Sequence, residues 1–434
     1  MPEMKNSGIE WIGDIPSDWD LRRLQFCLKE IKVKNNPIQT TQVLSLMKDV
    51  GVLPYEEKGD IGNKSKEDVS EYHLAYPNTI VVNCMNILIG SVGISKHFGC
   101  VSPVYYVFRE TENSDLRFIN YIFNTREFQK ELRKYAKGIL EIRLRVSADD
   151  IFKRKIALPS KNEQIKIANF LDSKCAEIDT LTVDIQSQID TLEEYKKSVI
   201  TDAVTKGLDV NVEMKDSKIE WVKKIPQHWN SSRIGYESYV RARLGWKGLK
   251  ADEYVDEGYA FLSAFNIQNN QLVWSPLNFI TKQRYDESPE IKLNIGDILI
   301  VKDGAGIGKT ARIDELPVGE ATPNSSLGVI TPYDNLNYRY CSYYLQSAIF
   351  NNHILRLLNG MGVPHLTQEV LKNVKILLPP MDEQKEIANY LDSKCNEINA
   401  IIADKKAQLE TLADYKKSLI YEYVTGKKQV KENA

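Results

Sequence analysis

Between Val240 and Tyr254 the chain reads VRARLGWKGLKADEY, which puts Arg241, Arg243, Lys247 and Lys250 within ten residues and Trp246 among them. Arginine can pair bidentately with a guanine edge and lysine can hold a phosphate, so basic residues interleaved with an aromatic suit contact with nucleic acid. A solvated basic loop would read the same way in sequence. Farther on, GAGIGKT (Gly304 to Thr310) invites comparison with a phosphate-cradling P-loop. That pattern needs glycine five positions before Gly308, where this chain has Asp303, and Pro317 arrives too soon for the helix that should follow. The better expectation is a glycine-rich hairpin between two strands, with Lys302 and Lys309 available to a phosphate backbone. In the earlier part of the chain the corresponding basic residues are Lys96, His97, Arg143 and Arg145.

Other chemistries find little support. An amino-methyltransferase needs an Asn/Asp-Pro-Pro-aromatic motif, but Pro379-Pro380 lies between Leu378 and Met381. The five histidines are dispersed, and the nearest approach to a ligand pair is His97 with Cys100. No catalytic, cofactor-binding or metal-binding residue is expected on this chain.

The elements that must carry these residues show through internal repetition. SGIEWIGDIPSDWDLRRL (from Ser7) matches SKIEWVKKIPQHWNSSRI (from Ser217), an offset of 210. KIALPSKNEQIKIANFLDSKCAEIDTL (from Lys155) matches KILLPPMDEQKEIANYLDSKCNEINAI (from Lys375), an offset of 220. What lies between differs, so one scaffold carries two payloads. In the repeated parts Leu171, Cys175, Ile178, Thr182, Ile185, Ile189, Leu192, Lys196, Val199 and Ala203 step by alternating fours and threes. Leu391 to Tyr423 do the same. This spacing predicts two long helices with coiled-coil seams, packed either on their own domains or, as two matching seams favour, against each other antiparallel.

The variable parts mix β-like runs (TIVVN, ILIGSVGI and VYYVF, then YAFLSA, GDILIVKDG and SLGVIT) with helical stretches behind them, predicting compact α+β domains. The expected fold is therefore α+β: two globular domains and two long helices in an antiparallel coiled coil, with a pseudo-twofold repeat. The boundaries are 1–154 for the first domain, 155–210 for the first helical region, 211–374 for the second domain and 375–434 for the second helical region.

Across 434 residues Lys and Arg total 57 against 59 Asp and Glu, so a uniformly basic nucleic-acid coat is excluded and any DNA contact must be local or shared. The N-terminal residues lack a secretory h-region, no apolar run is long enough for a membrane helix, and six scattered cysteines suit reduced thiols. A cytoplasmic location without membrane contact is expected.

The W-x-x-x-I-P-x-x-W entry (Trp11 to Trp19, Trp221 to Trp229), the LP-x-x-x-EQ-x-x-IANxLDxK segments and the twofold alternation resemble the specificity subunit of type I restriction-modification systems. GDILIVKDGAGIGK and GWKGL look like the second target-recognition domain and GCVSPVYYVF like the first. The resemblance implies a non-catalytic subunit on double-stranded DNA, each domain reading half of a bipartite, asymmetric site and the helix pair setting the spacer. It further implies two methylase subunits with S-adenosylmethionine, acting on adenine N6, and motor-nuclease restriction subunits using ATP and Mg²⁺. Glu163-Gln164 and Glu383-Gln384 are the expected partner contacts. A coiled-coil adaptor that reads no DNA, and a stand-alone DNA-modifying enzyme, are the competing readings.

Overall fold

The computed structural model describes residues 3–48, 50–59, 65, 67–138, 144–243, 249, 253–358 and 365–430. They form two compact units, one made of Met1–Gln186 with Ala407–Ala434 and the other of Ser187–Lys406. Two long helices, Lys161–Lys206 and Met381–Val424, contribute a portion to each. At 1.5 Å per residue the first is about 69 Å long.

In the first unit a four-stranded antiparallel sheet has the order Leu28–Glu30, Tyr105–Glu110, Ile80–Asn83, Val92–Ile94. In the second, Ser238–Arg241, Leu327–Pro332, Ile298–Val301 and Thr310–Arg312 repeat that order. The same frame therefore underlies two dissimilar sequences. Within the ILIGSVGI run only Val92–Ile94 is strand, because Ile87–Ile89 winds into a 3₁₀ turn that ends on Gly90 at φ 84°. The helical stretch behind the first sheet splits into Leu116–Phe123 and Arg126–Arg133, the second capped by Thr125, whose hydroxyl accepts from the Phe128 amide.

Entry and exit of each unit are tied by one strand pair: Asp20–Arg23 with Lys155–Leu158, and Asn230–Arg233 with Lys375–Leu378. Trp19 and Trp229 are sealed into the two cores. The first core joins Trp19, Phe108 and Phe118 to Leu171 and Ile178 of one long helix and Leu419 of the other. The second joins Trp229, Tyr340 and Ile376 to Val204 and Leu391.

The seam read from the sequence is the packed face, since each position from Leu171 to Ala203 and from Leu391 to Tyr423 is buried or half-buried. Direction follows from the contacts. In the first unit the Phe170 and Tyr423 rings meet tilted at 4.5 Å between centroids, and Asp179, nine residues on from Phe170, takes Lys416, earlier in its helix, at 2.6 Å. In the second unit Gln188 meets Lys405 and Lys196 meets Asn399 at 2.7 Å. Rising numbers on one helix meet falling numbers on the other, so the packing is antiparallel. Lys196 and Lys416 occupy equivalent seam positions and each finds an oxygen across it, which satisfies a cation inside an apolar stripe.

Each long helix ends on a glycine with positive φ, Gly207 at 76° and Gly426 at 74°, the left-handed residue that satisfies the last carbonyls. A Cβ on Gly426 would lie 2.4 Å from Pro16 Cδ. We expect Gly426→Ala to lower stability by roughly 2 to 4 kcal/mol, combining backbone strain with overpacking. Gly8→Ala, also at positive φ but with nothing within 4 Å, should cost about 1 kcal/mol. Denaturant titration of both variants checks this, and equal losses would refute the steric part.

Candidate nucleic-acid interface

The Gly-rich segment is a hairpin: Ile298–Val301 pairs antiparallel with Thr310–Arg312, and Gly304–Gly306 turns between them. Gly308 at φ 86° brings the chain back so that its amide donates to the Val301 carbonyl at 3.0 Å. Lys309 is exposed on the returning arm. Lys302 is different: it is 8% exposed, its stem lies 3.4 Å from where a Cβ on Gly328 would sit, and burial pushes its pKa down. The chain returning toward the second long helix crosses this tip, where the Leu366 amide donates to the Lys302 carbonyl and His365 Nδ1 pairs with Asp303.

The equivalent tip in the first unit runs from Asn83 to Ser91, where the Asn83 amide donates to the Ser91 carbonyl at 3.1 Å and the Val146 amide to the Cys84 carbonyl at 3.1 Å. Arg145 is thus the counterpart of His365 and is exposed. Lys96 and His97 lie at the opposite end of that hairpin, where Ser95 Oγ and the His97 backbone close a tight turn. Lys96 is exposed there and His97 half-buried. Arg143, Trp246, Lys247 and Lys250 lie outside the described residues.

Two sequence expectations need correction. Arg241 does not sit on a solvated loop: it ends a strand, is 6% exposed, and donates to Asp297 Oδ2 at 2.8 Å, to the Lys292 carbonyl at 3.3 Å and to Thr331 Oγ1. Its charge is consumed inside the domain. Arg243, two residues on, donates from Nε to Ser288 Oγ at 3.2 Å, while Nη2 is buried without a partner among the described residues. Burial first, then the nearby Arg284 cation, lowers its pKa.

The second correction concerns the Glu-Gln motifs. Gln164 is fully buried, with Oε1 accepting from the Asp115 amide at 2.9 Å and Nε2 donating to the carbonyls of Asn113 and Pro159 at 3.2 and 2.9 Å. Gln384 repeats this with the Asn337 amide and the Asn335 and Pro379 carbonyls at 2.8, 3.2 and 2.9 Å. These glutamines fasten a domain helix start to a long helix and offer nothing to a partner. Glu163 is half-buried, which raises its pKa, and Glu383 bonds His228 Nε2 at 2.7 Å.

A docking pair went unread in the sequence. Arg117 and Tyr121 both hold Asp172, at 2.7 and 2.8 Å, and Arg339 and Tyr343 hold Asp392 at 2.8 and 2.7 Å. Burial pushes the Asp392 carboxyl up, but the Tyr343 hydroxyl and the Arg312 and Arg339 guanidiniums outweigh it and hold its pKa below the ordinary carboxylate value. The signal was present: the LDSK aspartates repeat at an offset of 220 and Arg-x-x-x-Tyr at 222.

Nothing in the described residues resembles an activated nucleophile. All six cysteines are buried, and burial raises Cys27 and Cys100 to about 11 and Cys341 to about 12, which disfavours thiolate. No group of three His, Cys, Asp or Glu is placed to hold a metal, and no helix is long and apolar enough to cross a membrane, among the described residues.

The family model for the type I restriction modification DNA specificity domain matches residues 16–191 and again 246–411. The chain is 25% identical over 429 residues to the specificity subunit of the type I restriction enzyme MjaVIII of Methanocaldococcus jannaschii, covering 96% of this chain and 94% of that one. It is 24% identical over 208 residues to the EcoKI specificity subunit of Escherichia coli K12, covering 47% and 44%. Among solved structures, a chain from work on complex assembly and conformational transition of the type I R-M system superposes with a TM-score of 0.71 at 15% identity, covering 94% of this chain and 98% of that one. The HsdS subunit from Thermoanaerobacter tengcongensis gives 0.52 at 16%, covering 95% and 98%; these two likenesses concern the fold alone. The domain matched twice, on a frame that the strand order and the Gln164 and Gln384 anchors repeat, makes this chain a member of the type I restriction-modification specificity family, a DNA-recognition subunit without its own catalytic centre.

Proposed function

We propose that each unit reads one half of a bipartite, asymmetric DNA site. The observation that carries this is a shared four-stranded frame with chemically different tips: Lys309, the buried Lys302 and the Asp303–His365 pair in one, Asn83, Asn86 and Arg145 in the other. Different readers on one frame should read different words. The long helices then set the unspecified spacer. Lys309 and Arg145 are the exposed basic contacts the geometry favours, with Arg243, Trp246, Lys247, Lys250 and Arg143 still assigned to DNA on sequence grounds.

The chemistry is supplied by partners: two methylase subunits carrying S-adenosylmethionine for adenine N6, and restriction subunits using ATP and Mg²⁺, all in the cytoplasm. In place of the buried glutamines, the methylase-facing surface we favour is the repeated Glu/Asp-Tyr-Lys-Lys-Ser face. Tyr195 is 49% and Tyr415 52% exposed there, and Lys197–Glu194 and Lys417–Asp414 pair alike beside them. Like surfaces on both repeats fit two like partners.

Mapping N6-methyladenine with and without this gene tests the reading: a bipartite, non-palindromic motif is expected, and a continuous or palindromic one would overturn it. For Lys309→Ala, binding should weaken equally on matched and mismatched duplexes, and the slope of log K against log salt should fall by about one. Isotherms at several salt concentrations measure this; an unchanged slope would remove Lys309 from the phosphate contacts.

A further inference from the structure

The first unit contains a cleft of about 510 Å³ between the Leu44–Met47/Gly51–Pro54 hairpin and the Asn83 to Ser91 tip. Its size lies within the range of small-molecule sites. Tyr55, Tyr72 and Tyr105 contribute aromatic rings to its lining, and Ser45, Asn83 and Asn86 contribute polar groups. The Tyr55 hydroxyl accepts from the Ser65 amide at 3.1 Å, which fixes the ring, and Lys58 Nζ lies 4.2 Å over the ring centroid. Asn83 is 5% exposed; its Oδ1 accepts from the Met85 amide at 3.0 Å, and its Nδ2 has no bond among the described residues.

Base edges in a groove are read by side chains that protrude, because the edges themselves are recessed. A concavity cannot enter a groove. Something must leave the helix to enter it, and the part of DNA that can do so is a base rotated out of the stack. Flat tyrosine faces suit such a base whatever its identity, and the amide and hydroxyl groups suit its exposed pairing edge. Lysine at the cleft suits the phosphate displaced with it. At the corresponding place the second unit presents charge, Lys309 and the Asp303–His365 pair, so the two units would differ in how they read as well as in what they read.

We propose that this cleft receives one unstacked nucleobase of the half-site read by the first unit, an inference that rests on the DNA-reading assignment above. The base is held by stacking and hydrogen bonds, and no bond is made or broken in it.

The test uses the complex of this chain with its methylase subunits, on duplexes in which 2-aminopurine or pyrrolocytosine replaces one base at a time across both mapped half-sites. One position other than the methylated adenine is expected to brighten several-fold on binding. That rise should be lost in Tyr55→Ala, which removes a wall, and in Ser45→Phe, which fills the cleft from a half-exposed position. It should persist in Tyr55→Phe, which keeps the ring. A denaturant midpoint equal to the parent's shows that each variant is folded. Discrimination between cognate and scrambled duplexes with no such position, or a rise that survives both Tyr55→Ala and Ser45→Phe, would overturn the cleft assignment alone. Failure of the parent complex to discriminate at all would overturn the DNA-reading assignment and the cleft with it.

Discussion

Arg241→Ala is expected to destabilise the second unit by about 3 to 5 kcal/mol, enough to unfold it in many backgrounds, rather than to relax specificity at one base. The guanidinium lies on the end strand of the four-stranded sheet, and the side chains of the pair are 7% and 0% exposed. Asp297 also accepts from the Asn294 amide at 2.8 Å and from Thr331 Oγ1, and the cation paired with it is Arg241. Removing the arginine leaves that charge buried and uncompensated. The paired replacement Arg241→Met with Asp297→Leu should recover most of the loss, since a buried ion pair costs nearly as much to desolvate as it returns. Denaturant unfolding of the three variants measures this. A fully stable Arg241→Ala with altered half-site preference would restore the arginine to the DNA surface.

The second large effect is on spacing. Removing seven residues from each long helix at equivalent positions, Asp184 to Asp190 and Asp404 to Glu410, preserves the seam while shortening each helix by about 10 Å. At 3.4 Å per base pair, the unspecified spacer should shrink by about three pairs with both half-site words intact. Removing five residues instead rotates the apolar stripe beyond the cut by about 140°, away from its partner, and methylation should be lost. Methylation mapping reads both outcomes. Unchanged spacing accompanied by altered words would exclude the helices as the ruler and move that function into the recognition units.

Several elements were legible in the chain alone because their cause is local. The seam from Leu171 to Ala203 is visible as periodicity, and it is the face that packs. The hairpin at Gly304 to Gly308 was readable from glycine density after the Ile298–Val301 run. Repetition at an offset of 220 announced a second copy of whatever the first copy does, and Lys196 and Lys416 duly make matching contacts.

The fate of individual charges was not legible, because it depends on residues distant in sequence. Arg241 and Arg243 look alike beside Trp246, yet a strand register brings Asp297, 56 residues away, beneath one of them. Gln164 and Gln384 look like surface polar residues on helix starts, and only the docking of the helices that begin near Asp115 and Asn337 turns them inward. The two sheets share no readable sequence, since a strand needs only alternation and burial, and many sequences supply those. Periodicity and repetition along the chain specify the two long helices and the doubled frame; which cations remain exposed follows from packing, because burial and pairing are properties of the folded neighbourhood and not of the residue.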